Sequence, residues 1–576
     1  MTIGWTLDDP DREMLSDLGR QLDRSPAGRI ALLIGDRASP LGRAIPMAYP
    51  QLEEHRVDIR LPPDDLHTAL AAHGPYDLII DDSRRLRVRK RVFRNSFGHL
   101  RPGGAYLVRD FRPRRHPPGE RPHDNVLWPY LTQLVGRRGR VPARLGRWQQ
   151  DEEFRAESLG RLILGTHHLL AFNRLAAYAK LREHEMNTIA DQLTAEATGG
   201  TPSPARVVLR RPSASFESRA TVSPASLYET DFRFTRHFAA PELVVRGYRD
   251  AIAVPHQVAL QGYRVLPESF RHNQYPRLGN RRLTRAGHYF ARIDGIADPT
   301  RLPGRYFHLD AEWREHFGHF TTEQLARLWP WSELKQQMPD LRLLMSLQRG
   351  RTEPRSWELD LLAAAGVGSD DIVPIVGPTQ VEELFGATPM ASMPSYIHPA
   401  ISDLWRTVGD NLVRQAPPQL EPGRDYPRRI FLTRPSDARL RQCRNTDEVE
   451  SRFRAAGFGV VRPELYPIAT QVRMIRSASV IAGFAGSAMF NLMFHTYPAQ
   501  VIVLRQTAYT ASNEYLISSV LGNTIHYVDS EPDIPHPPRH WSRAAFHSSF
   551  AFDFDREGRQ LDNILASLPT TDDRNS

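Results

Sequence analysis

Cysteine and lysine are almost missing: the 576 residues include one cysteine, Cys443, and only Lys90, Lys180 and Lys335 as lysines. A single thiol excludes an intrachain disulfide framework, which fits a reducing compartment. With so little lysine, the formal charge of +9 rests on arginines scattered among acids through every segment. That pattern reads as coding bias rather than as a nucleic-acid groove, so no nucleic-acid partner is expected. The densest cluster, Arg84–Arg94, is interrupted by Leu86, Val88, Val92 and Phe93 and reads as the solvated face of a helix. The first thirty residues carry acids and bases throughout, with no apolar leader. The uncharged stretch Ala478–Phe494 is too short and too broken by glycine to span a bilayer. A cytoplasmic protein is expected, with peripheral association at the inner face of the cell membrane left open. Internal repeats and low-complexity runs are absent as well.

What is there is enough apolar residue, 40%, for several cores, and the length calls for two to four domains. Near the N-terminus, RIALLIGD (29–36), YDLIIDDS (76–83) and AYLVRDF (105–111) read as buried parallel strands. Between the last two, RVFRNSFGHL is an amphipathic helix stopped by Pro102, Gly103 and Gly104. The order DLIIDDS, helix, LRPGG, strand resembles the later half of a class I, S-adenosylmethionine-dependent methyltransferase. The place of that family's glycine-rich loop reads GDRASPLGR, with Gly35 and Gly42 only and with Pro40 and Arg43 intruding. Residues 1–150 are therefore expected to form a degenerate methyltransferase-like Rossmann domain that does not bind S-adenosylmethionine. Asp81 and Asp82 then serve to cap the next helix. Residues 159–193 keep helical spacing without proline, giving an expected helical linker over 151–200 in which His167 and His168 face different sides. ATGGTPSP (197–204) ends it.

From about residue 394 onward strands and helices alternate: RRIFLTR, TDEVESRFRAAG, GVVRPE, ATQVRMIRSA, SVIAGF, SAMFNLMF, QVIVLR, TIHYVDS. That is the pattern of a doubly wound parallel sheet, whose carboxyl edge is where ligands bind. GFAGSAMFNLMF (483–494) crosses that edge. Gly483 and Gly486 permit close backbone approach, Ser487 can cap the following helix, and Asn491 lies one turn on. The helix start would favour a diphosphate. Read alone, the glycine pair is equally a joint that packs strand on helix.

Its neighbours give it context. FLTRPSDARLRQCRN (431–445) places Arg434 after a strand, then Arg441, then Asn445; Glu448, Glu464 and Gln471 follow before Gly483, Gly486, Ser487, Asn491 and Phe494. This ordered run closely resembles the C-terminal half of glycosyltransferase family 61, although Ala485 stands where many members have histidine. EHFGHFTTEQLARLWPW (315–331) resembles a further helix of that family and sets His319 and Glu323 four residues apart, on one helical face. On its residues alone, it also reads as a helix start capped by Thr321 or Thr322.

The resemblance implies a GT-B fold, an α/β pair of Rossmann-like halves, here with 201–395 as the acceptor side and 396–576 as the nucleotide-sugar side. It implies an inverting glycosyltransferase working on a glycan acceptor in capsular or surface polysaccharide synthesis. Donor contacts would come from Arg434, Arg441, Asn445, Glu464, Gln471, Gly483, Gly486, Ser487 and Asn491, and a base from His319 or Glu323, with Asp310 in reserve. The donor is expected to be a nucleotide sugar, UDP-linked. Neither a metal nor another cofactor is expected, since no Asp-Xaa-Asp triplet has convincing strand-end placement and arginine serves the phosphates. The alternatives are a bifunctional methyltransferase–glycosyltransferase and a non-catalytic glycosyltransferase-like scaffold.

Overall fold

In the computed structural model the described residues are 29–34, 53–81, 83, 85–108, 111, 121, 124–137, 147–165, 167–198, 200, 202–223, 234–348, 350–416, 426–434 and 440–568. The chain divides into two compact units. The first comprises 1–208, 246–304 and 377–385, and the second 209–245, 305–376 and 386–576. The expected 201–395 half is thus shared between the units instead of standing alone. The cause is strand pairing: Arg264–Val265 and Phe290–Ala291 flank Tyr178–Lys180, one on each side, and so join the first unit.

The first unit opens with a Rossmann-like sheet. Its spatial order is Glu53–Asp58, Arg29–Ile34, Tyr76–Asp81, Leu100–Val108, Leu169–Asn173, Leu159–Leu164. The first four strands are parallel and the last two pair antiparallel, to Leu100–Val108 and to each other. Tyr76–Asp81 is buried along its whole length, as its apolar run requires. Two expectations change here. LRPGG is not a helix stop but the start of the strand, with the register shifting between Tyr76 and Leu78 to absorb the extra residues. The long helix over 159–193 is replaced by the strands Leu159–Leu164, Leu169–Asn173 and Tyr178–Lys180 and a helix confined to Glu183–Glu196. The run LGRLIL and the fully buried LLAFN bury as edge and inner strands, which short apolar runs do as readily as helices. His167 and His168 lie in the joint between the first two.

Arg89, counted on a solvated face, is buried and donates from Nη2 to the Ser83 carbonyl at 2.8 Å. Asp81 is also buried. It accepts from Ser83 N–H at 3.0 Å and Tyr106 O–H at 3.1 Å, and burial pushes its carboxyl up. It fastens its own strand end, while the following helix, Leu86–Ser96, has no side-chain cap. Asp82 and the GDRASPLGR loop lie outside the described residues.

A chain of neutral polar groups knits this unit together. His67 Nε2 meets the Lys180 carbonyl at 3.0 Å and its Nδ1 meets His99 Nε2 at 3.1 Å, while His99 Nδ1 meets the Tyr263 hydroxyl at 2.8 Å. Burial lowers both imidazoles, His67 to about 4, and the Lys180 ammonium to about 7.

The second unit carries two parallel assemblies. Thr300–His308, Arg342–Ser346 and Ile372–Ile375 pair in parallel. The other is a six-stranded sheet in the order Thr221–Val222, Thr524–Ser530, Gln500–Gln506, Val480–Phe484, Arg429–Leu432, Gly459–Val461, parallel throughout. One of its cores joins Phe431, Phe453, Phe484, Ile502 and Val528. SAMFNLMF is helical as expected, but as a 3-10 helix, Ser487–Phe494. Among the described residues no helix is long and apolar enough to cross a membrane.

An unfolded His67 titrates near 6.5 and the folded one near 4, so between those values the unfolded chain binds more protons and stability rises with pH. Denaturant unfolding should therefore show stability falling as pH drops from about 6.5 towards 4, by up to about 3 kcal/mol from this group. His67→Gln should flatten that slope; an unchanged slope would remove the assignment.

Candidate active site

Leu432 and Gly483 are register partners, so their parallel strands end side by side. Two residues beyond the first end stands Arg434; two beyond the second stands Gly486. Gly486 has φ 143°, a conformation L-residues avoid, and a Cβ there would collide with Arg434 Nη2 and lie 3.5 Å from Arg441 Nη2. Arg434 donates from Nη2 to the Ala485 carbonyl and from Nη1 to the Arg441 carbonyl at 3.3 Å. Burial, and then the like charge of Arg441, pull its guanidinium down to about 10. It stays cationic at neutral pH.

Arg441 holds the left-handed φ of 57°, its N–H donates to the His547 carbonyl at 3.1 Å, and its guanidinium lies 4.3 Å from the Tyr509 ring centroid. Its Nε is buried without a hydrogen-bond partner. Among the described residues neither guanidinium has a carboxylate ion-pair partner. Two cations around one turn, met by carbonyls, by Tyr509 and by the nearby Glu514 carboxyl, suit a multiply charged anion.

The N–H of Gly486 is not available to that anion. It donates to Glu514 at 2.8 Å, and burial pushes this carboxyl up. The expectation that this N–H helps grip a diphosphate is corrected accordingly. Ser487 is the first residue of the 3-10 helix, whose cap position is Gly486 and has no side-chain cap, so Ser487 does not cap it. Gly483 serves packing: a Cβ would sit 2.7 Å from the Leu432 carbonyl and 2.8 Å from Met489 Sδ.

His319 and Glu323 join this edge through Gly318, where a Cβ would come within 2.9 Å of both Ser487 Cβ and Phe490 Cε2. His319 Nδ1 lies 2.6 Å from Glu323 Oε1, and the partly exposed imidazole stacks beside Trp313. Their helix runs from an α turn at Phe317–His319 into a π turn at Phe320–Gln324, a form common at functional sites. Thr321 and Thr322 do not cap it; their hydroxyls donate back to Phe317 and Gly318 carbonyls. With Glu323 accepting at Nδ1, Nε2 carries the lone pair, as a general base needs.

The remaining candidates separate by location. Asn491, buried, donates to Gln471 Oε1 at 3.2 Å and to the Ala488 carbonyl at 3.1 Å, leaving its Oδ1 buried without a partner. Asn445 instead exchanges two 2.9 Å hydrogen bonds with the Phe552 backbone, anchoring the Arg441 segment. Glu464 is exposed on a short 3-10 turn. Asp310 is clamped by the Ser346 hydroxyl at 2.7 Å and the Ala311 N–H at 2.9 Å, so it ties two strands together and is poorly placed as a base. Glu514 and Tyr509 escaped the sequence reading; their signal was position, just after QVIVLRQ at the carboxyl edge. For a metal, the described residues hold one group with ligating atoms within 4.8 Å, Glu53, His55 and His73, in the first unit.

A family model, Glycosyltransferase 61, matches residues 317–503. Over this segment the chain is similar to glycosyltransferase family 61. The family 61 region spans His319, Glu323, Arg434, Arg441 and the Gly486 turn, and ends before Tyr509 and Glu514. The match supports a glycosyltransferase reading for this segment. Among the curated proteins none matches the chain. Among solved structures, the MycE methyltransferase of the mycinamycin pathway is 13% identical over 28% of this chain and 49% of its own, with a TM-score of 0.22. A protein-(glutamine-N5) methyltransferase from Alicyclobacillus acidocaldarius is 13% identical over 30% and 100%, with a TM-score of 0.18. An O-methyltransferase family protein from Burkholderia thailandensis is 19% identical over 28% and 47%, with a TM-score of 0.16. The chain spans about half the length of MycE. Likeness at these scores says nothing about activity.

Gly486→Ala should cost at least about tenfold in pyrophosphate affinity by calorimetry, because the methyl group displaces Arg434 and its charge-assisted contacts. Equal affinity would mean the anion sits elsewhere.

Proposed function

We propose that the second unit is an inverting, metal-independent glycosyltransferase that moves a sugar from a nucleoside diphosphate, UDP by expectation, to a hydroxyl of a glycan. The observation that carries this reading is the Arg434–Arg441 pair at the Gly486 turn with His319 close by through Gly318. His319 Nε2 takes the acceptor proton while Glu323 holds the imidazole in register. The acceptor oxygen bonds to the anomeric carbon as the carbon–phosphate-oxygen bond breaks, and one displacement inverts the centre. The electron pair departs on the diphosphate, whose growing charge the two guanidiniums offset without a metal ion. Asn491, bonded to Gln471 and to the Ala488 carbonyl, braces the helix that follows the turn. We propose a role in capsular or surface polysaccharide assembly, which rests on the family resemblance alone, and a cytoplasmic location, which rests on the single cysteine.

For the N-terminal region we propose a methyltransferase-like fold without methyl transfer. Asp81, the acidic strand end that a cofactor would need, is buried and spent on Ser83 and Tyr106. Calorimetric binding of S-adenosylmethionine by the full chain would overturn this.

Arg434→Ala should abolish turnover of the nucleotide sugar with circular dichroism unchanged. His319→Ala and Glu323→Gln should each lower kcat by about a hundredfold or more while donor affinity holds. Unchanged kcat in both would take the pair out of the chemistry, and near-normal transfer by Arg434→Ala would take the turn out of donor binding.

A further inference from the structure

Beyond the family 61 region, a line of aromatic rings leads away from Arg441. Its guanidinium covers one ring, Tyr509, which is buried. Tyr509 meets Phe546 at 4.9 Å between centroids, and Phe546 meets Trp541 at 5.6 Å. Trp541 ends the line with 62% of its surface exposed.

The segment carrying Trp541 is held in place. His536 Nε2 meets the Ala508 carbonyl at 3.0 Å, and the Ser542 N–H donates to His536 Nδ1 at 3.0 Å. The Ser542 hydroxyl accepts from Ala545 N–H, capping the Arg543–Phe546 turn. Gln506, the last residue of its strand, donates to the Ala545 carbonyl at 3.2 Å. The next residue after that turn, His547, accepts the backbone N–H of Arg441 at 3.1 Å. One hydrogen-bonded frame therefore fixes both the cation beside the Gly486 turn and the exposed indole.

An exposed tryptophan costs apolar hydration, and its large rigid ring presents a stacking face at little entropic expense. Its place in the line follows spacings of 4.3, 4.9 and 5.6 Å from the Arg441 guanidinium, a path that an extended nucleoside diphosphate seated on Arg434 and Arg441 can cover. We propose that Trp541 stacks the nucleobase of the donor, with Phe546 and Tyr509 as the wall behind it. This rests on the donor-site reading given above and extends it: the base is recognised by its π-face, not by an edge code, because the line offers rings and not a set of side-chain amides. Stacking of this kind tolerates every base and contributes to affinity for any nucleoside diphosphate.

Pyrophosphate, UDP, GDP and ADP, titrated by calorimetry into the full-length protein and its Trp541→Ala and Trp541→Phe variants, separate the two readings. Trp541→Ala should weaken all three nucleotides by about tenfold, leave pyrophosphate unchanged and be largely rescued by Trp541→Phe. In a transfer assay the same variant should raise donor KM with kcat retained. If nucleotides bind Trp541→Ala as tightly as the parent, the stacking role is overturned while the diphosphate seat stands. If pyrophosphate and nucleotides all fail to bind the parent protein, the donor site fails and this inference with it.

Discussion

The second unit is organised around the missing side chain at Gly486. Only a residue without Cβ can hold φ 143° there and leave room for the Arg434 guanidinium against the turn. The turn in turn fixes much else. Its N–H is answered by Glu514, its preceding carbonyl by Arg434, and Ser487, just after it, packs on the Gly318 backbone. Burial first, and then the like charge of Arg441, make this corner unfavourable for the Arg434 guanidinium. The remaining sheet supplies the compensating burial, through the apolar cluster that includes Phe431, Phe453 and Phe484. An anion with two or more charges relieves the same repulsion, which is why such corners make binding sites.

The division of labour across the edge of the sheet follows from parallel topology. All six strands point one way, so the loops after Leu432, Phe484 and Gln506 share one side. Arg434, Gly486 and Tyr509 come from those three loops in turn. Asn445 contributes at one remove, by bonding Phe552 and so steadying the segment in which Arg441 takes its left-handed conformation.

Much of this was legible in the residues. The alternation of strands and helices from 429 onward, the strand-end position of Arg434 and the pairing of His319 with Glu323 all follow from local patterns that burial rewards. Where the reading failed, long-range pairing was the reason. LLAFN and YAK look helical in isolation, and only their partners, Leu100–Val108 and Arg264–Val265, make them strands. The extra residues of LRPGG are absorbed by a register shift that no local rule announces. Glu514 carried only its position past the strand end as a signal, because its role is to answer one backbone N–H 28 residues away. Asp310 stood in reserve as a base, yet Ser346, far along the chain, bonds it.

The interleaving of the two units has a consequence for how the protein can be made and altered. Each unit is assembled from three separate stretches of sequence, so no single scission releases either of them whole. Ending translation after residue 208 would strand Tyr178–Lys180 without Arg264–Val265 and Phe290–Ala291, its neighbours on both sides. Neither unit could then be gained or lost by simple fusion or trimming of genes, and a nascent chain must wait for residue 385 before the first unit has all its parts.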